Sequence, residues 1–84
     1  MTHEQIDLII GEKKAVDQVI EIKFKTRNPI KGLFIKSADY RELSRKNLWR
    51  IVTESYIDQY KKTHSESLAR IFNGSEFTKL EVKP

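Results

Sequence analysis

The sequence contains no cysteine, which rules out disulfides and thiolate metal sites, the usual staples of small secreted domains. Glycine occurs only three times, at Gly11, Gly32 and Gly74, each isolated, so a glycine-rich phosphate-cradling loop has no support. Long apolar runs are missing too. Leu8-Ile9-Ile10 is the longest aliphatic stretch, far short of the roughly 20 residues that a membrane helix needs. The start Met1-Thr2-His3-Glu4 lacks the basic region of an export signal, so a cytoplasmic protein with no membrane span is expected.

What is present describes one small domain over residues 1–84, polar at 38% hydrophobic and 33% charged residues. A chain of this length buries only roughly 60 to 65 per cent of its unfolded surface, so a partner or a second copy could complete the core. The net charge of +4 is unevenly spread. Residues 1–22 carry two Lys against five Asp/Glu, residues 23–50 carry nine Lys/Arg against two acids, and residues 51–84 balance five against five. Concentrated basic charge points to nucleic acid or an acidic partner, although a solvated face accounts for it equally well.

The stretch Asn47-Leu48-Trp49-Arg50-Ile51-Val52 holds the only tryptophan and reads as a central strand at about 48–53. Alternation puts Trp49 and Ile51 on one face and Leu48, Arg50 and Val52 on the other. Large apolar groups on both faces predict packing on both sides, with Arg50 at a rim or paired. Trp49 is then core filler or, alternatively, an exposed stacking platform.

Thr2 and Gln5 have capping-box spacing, and Ile6, Ile9 and Ile10 share a helical face, which predicts a helix at about 3–10 ended by a left-handed Gly11. A polar stretch to Lys14 follows. Val19 to Lys25 alternates with period two, predicting a strand at about 18–26 with Ile20, Ile22 and Phe24 inward. Asn28-Pro29 breaks the pattern, and Gly32 to Lys36 returns as a second strand at about 32–36. Asp39 and Glu42 suggest a cap for a short helix at about 39–45, which Asn47 could close, and Ser55 and Asp58 one for a helix at about 56–62.

Asn73-Gly74 between apolar stretches predicts a hairpin of strands at about 68–72 and 76–82, closed by a type I′ turn. The competing reading is a helix capped by Thr63 and Glu66, carrying Leu68, Ile71 and Phe72 and ended by Gly74. Both require positive φ at Gly74. Together the elements imply an α+β fold: an N-terminal helix followed by a small, strongly bent antiparallel sheet, or SH3-like or Sm-like barrel, of about five strands.

The phrases Lys46-Asn47-Leu48-Trp49-Arg50-Ile51-Val52, Leu68-Ala69-Arg70-Ile71-Phe72-Asn73-Gly74 and Phe77-Thr78-Lys79-Leu80 resemble short uncharacterised bacterial proteins of about this length. The resemblance covers most of residues 30–80. It implies a bacterial cytosolic domain and carries no activity and no catalytic residue across.

Chemistry-bearing constellations are scarce. His64 and Glu66 form a closely spaced His-acid pair, without the further ligands or oriented partner that a metal or general base needs. His3 falls in the first turn of a terminal helix. Asn73-Gly74-Ser75 matches a glycosylation sequon, but without an export signal the turn is the better reading. The serines form no triad. No enzyme, cofactor or small-molecule substrate is therefore expected. One function class is binding of RNA or single-stranded DNA, with Lys23, Lys25, Arg27, Lys31 and Lys36 on phosphates and Phe34, Tyr40 or Trp49 stacking a base. The other is a protein-interaction module or homodimer held by apolar residues.

Overall fold

The computed structural model describes residues 1–12 and 18–82. Within them the chain runs through α1 (His3–Glu12), β1 (Ile20–Phe24), β2 (Ile30–Phe34), α2 (Tyr40–Arg45), β3 (Leu48–Thr53), α3 (Ile57–Thr63), β4 (Arg70–Asn73) and β5 (Phe77–Val82). Single 3-10 turns occupy Glu54–Tyr56, Glu66–Leu68 and Gly74–Glu76. The polar connector expected through Lys14 lies outside the described residues.

All strand pairs are antiparallel, in the order β4-β3-β2-β1-β5. The fold is α+β, and the sheet is bent without closing into a barrel. Two strands separate β1 from β4 in the ladder, yet the Phe24 and Phe72 rings approach to 6.1 Å between centroids, so the sheet must curl strongly. The 3-10 turn Gly74–Glu76 joins the two edge strands directly.

Period two explains the inner layer. Ile20 and Ile22 from β1, Phe34 from β2, Trp49 and Ile51 from β3 and Phe77 and Leu80 from β5 converge inside the bend, where Ile6 and Ile10 of α1 meet them. The outer face carries a second cluster of Leu33, Ile35 and Val52, covered by Ile57 at the start of α3. β3 is therefore packed on both sides, as its composition implied. Arg50 on its outer side is paired with Asp39 at 2.7 Å.

Of the caps expected from spacing, the one at Thr2 forms and those at Asp39 and Ser55 do not. Thr2 and Gln5 make both bonds of the capping box, Gln5 N–H to Thr2 Oγ1 at 3.2 Å and Thr2 N–H to Gln5 Oε1 at 3.0 Å. Asp39 makes no cap bond, because its carboxylate is taken by Ser37 and Arg50. α3 likewise starts without a side-chain cap and ends at His64, which adopts φ 53° and donates its N–H to the Tyr60 carbonyl.

Two turn expectations are corrected. Gly11 does not end α1 in a left-handed conformation; the helix continues to Glu12, and among the described residues no glycine has positive φ. Gly74 begins a 3-10 turn instead of occupying a type I′ hairpin. Asn73, at φ −88°, caps that turn by accepting the Ser75 N–H at 2.9 Å, which satisfies the main chain without positive φ. Besides His64, the left-handed residue among those described is Asn47 at φ 60°, between α2 and β3. Its carbonyl accepts the Gly74 N–H at 2.7 Å, its Oδ1 accepts from Trp49 Nε1 at 2.9 Å, and its Nδ2 donates to the Met1 carbonyl at 2.9 Å. The helical alternative for the segment before Asn73 shrinks to one 3-10 turn, and the strand starts at Arg70.

Candidate functional site

The residues expected to bind do not gather in one place. Phe34 and Trp49 are 2% and 1% exposed, stacked edge-to-face on each other in the core, and offer no ring face to a base. Tyr40 is half-buried and donates its hydroxyl to Asp7 Oδ1 at 2.6 Å. Burial, reinforced by that carboxylate, pushes its phenol well above the usual range. Lys36 sits over the Tyr40 ring, 5.1 Å from its centroid. Lys23 pairs at 3.5 Å with Glu81, which Lys79 also holds at 3.0 Å. Lys31 stands opposite Glu21 across the hairpin, a cross-strand pair of opposite charge. Lys25 is exposed and contributes its main-chain N–H to the Glu76 carbonyl at 3.0 Å.

Arg27 is different. It leaves the end of β1 and folds its guanidinium over the Phe24 ring, 5.0 Å from the centroid, an arrangement that the ring quadrupole favours. Phe24 is in turn held edge-on by Phe77 at 5.3 Å and approached by Phe72 at 6.1 Å. Lys36 lies beyond the far end of β2 from Arg27, so one ligand residue contacting both is not available.

Around the Arg27–Phe24 pair the bend of the sheet leaves an open groove of about 580 Å³. One bank is the β1–β2 turn, with Phe24, Thr26, Arg27 and Ile30; the other is β4, with Arg70, Ile71, Phe72 and Asn73. Thr53 and Glu76 complete it. Arg27 and Arg70 both make no ion pair among the described residues, so two guanidinium groups are left for an anion. The rings, the two arginines and the hydroxyl and amide groups form a surface that is partly aromatic and partly hydrogen-bonding.

Of the eight residues singled out in the sequence only Arg27 reaches this groove. Phe24, Arg70, Phe72 and Glu76 were missed as site residues. Phe24 and Phe72 looked like core by their spacing, and the half-exposure that frees them arises at the open end of the sheet.

Other constellations stay apart. Among the described residues no group of three or more His, Asp or Glu could hold a metal ion, and no polar or charged side chain is buried. His3 pairs with the exposed Glu4 at 2.5 Å, and His64 packs edge-on against Tyr60 at 5.8 Å. Among the described residues no helix is long and apolar enough to cross a membrane. Comparison with protein-family models, curated proteins and solved structures finds no match.

Proposed function

We propose that this is a non-enzymatic module that binds single-stranded RNA or DNA in the groove between the β1–β2 turn and β4. The observation that carries the reading is Arg27 laid over Phe24 in an open groove that also holds Phe72 and Arg70. An unpaired base stacks on an aromatic ring or a guanidinium plane, and each such stack contributes about 1–3 kcal/mol whatever the base. A duplex hides its base faces, so the groove suits a single strand. Arginines on either bank supply the phosphate contacts, releasing counterions as they do so.

The test is a salt titration of a fluorescent single-stranded decamer. Two arginine contacts give a slope of log affinity against log salt of about −1.4, at about −0.7 per phosphate. Substituting Arg27→Gln and Arg70→Gln together should abolish binding and leave the fold intact, since both side chains are exposed. Absence of wild-type binding at low salt would remove the reading.

Self-association is the second reading, and one observation favours it. Among the described residues the open sheet leaves β4 and β5 as edge strands with one pairing partner each, and Ile71 on β4 is 49% exposed. Sedimentation equilibrium decides it: a dimer that Ile71→Lys dissociates would support edge pairing, and a monomer at high concentration would exclude it.

A further inference from the structure

We infer that the groove selects guanine, read through the Glu76 carboxylate and the Asn73 amide; the inference rests on the single-strand reading above. Glu76 lines the same groove as Arg27 and Arg70 yet forms no ion pair with either, nor with any other described residue. A bare carboxylate beside a phosphate path repels the ligand unless some part of the ligand donates to it. Phosphates carry only acceptors. The donors of an unpaired nucleotide lie on the base edge and the sugar hydroxyls, and an ionised carboxylate accepts two parallel donors best.

Guanine alone presents two adjacent donors on its pairing edge, the ring N1–H and the 2-amino group. Cytosine and adenine offer one amine beside a ring nitrogen acceptor. Uracil offers an N–H flanked by two carbonyl oxygens, which a carboxylate meets with repulsion. Beside its two donors guanine has a carbonyl acceptor, and Asn73 matches it. The Asn73 Oδ1 already accepts from the Ser75 N–H, a group that can only donate, so the amide orientation is fixed and its Nδ2 is left as the donor. Asn73 and Glu76 bracket the 3-10 turn, which the Lys25 N–H clamps through the Glu76 carbonyl at 3.0 Å. Donor and acceptors are thus carried on one short, anchored turn beside the Arg27–Phe24 stack.

The experiment measures affinity by fluorescence anisotropy for uridine heptamers whose central residue is guanosine, inosine, adenosine, cytidine or uridine. Inosine differs from guanosine only in lacking the 2-amino group. Guanosine should bind tightest, with inosine about tenfold weaker, the size of one good charge-assisted hydrogen bond. Glu76→Gln, a change at an exposed side chain, should erase the gap between guanosine and inosine. Equal affinity for all five heptamers, with clear binding, would overturn the guanine assignment and leave the single-strand reading standing. A gap that persists in Glu76→Gln would overturn the role of the carboxylate. No binding to any heptamer would overturn both readings.

Discussion

Arg50 grips the Asp39 carboxylate with two hydrogen bonds, Nη2 to Oδ2 at 2.7 Å and Nε to Oδ1 at 3.3 Å, and so ties β3 to the entrance of α2. The Arg50 hydrogen bond, followed by one from the Ser37 hydroxyl, lowers the Asp39 pKa from 3.8 to about 2. Because the folded-state pKa lies below the unfolded one, the ionised carboxylate favours the native state. That contribution is complete above pH 3.8 and is lost as pH falls toward 2. Asp39→Asn should therefore unfold at lower urea than wild type at pH 6, and the difference should close as pH drops through this window. Urea midpoints at pH 6, 4 and 2.5 check it; a difference that persists unchanged at pH 2.5 would exclude the charge as its cause.

Gly74 and Gly11 should respond oppositely to alanine. A Cβ on Gly74 would collide with Asn47 Oδ1, Ile6 Cδ1 at 2.6 Å and Trp49 Nε1 at 2.7 Å, so space, not φ, demands glycine there. Overpacking of this kind costs about 1–3 kcal/mol. A Cβ on Gly11 meets nothing within 4 Å and sits on a helix, so Gly11→Ala should be neutral or stabilise by up to about 1 kcal/mol. Thermal denaturation of the two variants gives the comparison.

Asn47 combines a left-handed backbone with side-chain bonds to Trp49 and Met1, and the two roles can be separated. Asn47→Gly keeps the backbone comfortable and loses the bonds. Asn47→Ala loses the bonds and adds the left-handed strain of about 1–2 kcal/mol. Stability should fall in the order wild type, Asn47→Gly, Asn47→Ala. Trp49 reports on the same region: at 1% exposure its emission should be blue-shifted and poorly quenched by iodide in the wild type. Easy quenching would contradict the burial.

Much of this architecture was legible because it rests on local rules. Alternation at Ile20, Ile22 and Phe24 named a strand that forms, the mixed faces around Trp49 named a strand packed on both sides, and Thr2 with Gln5 named a cap that closes as expected. The failures come from long-range competition. Asp39 looked like a cap, but Arg50, eleven residues on, claims its carboxylate. Asn73-Gly74 looked like a type I′ turn, but the approach of Asn47 and Trp49 to Gly74 and the Asn73–Ser75 bond favour a 3-10 turn instead. The groove was illegible for the same reason. Arg27 and Phe24 meet Arg70 and Phe72 only because the sheet curls; a strongly bent sheet was expected, but no spacing in the sequence says which side chains the bend brings together.

The sharpest division between the basic hairpin and the groove is which cations set the salt dependence of binding. Lys23 is already held by Glu81 and Lys31 stands opposite Glu21, so their charges are partly compensated on the outer face of the sheet. Arg27 and Arg70 have no such partner among the described residues and line the groove. Arg27→Gln should therefore reduce the magnitude of the salt slope by about 0.7, the loss of one phosphate contact on a single strand. Lys23→Gln with Lys31→Gln should leave the slope nearly unchanged, and the small loss in affinity that follows should reflect only the weaker general field. Glutamine is shorter but stays polar and uncharged; the exposed Lys23–Glu81 pair it removes contributes less than about 1 kcal/mol and Arg27 has no ion pair among the described residues to lose, so neither variant should unfold. If the lysine double variant instead lowers the slope by about 1.4 and Arg27→Gln changes nothing, the strand runs along the outer face of the hairpin and the groove is not where it binds.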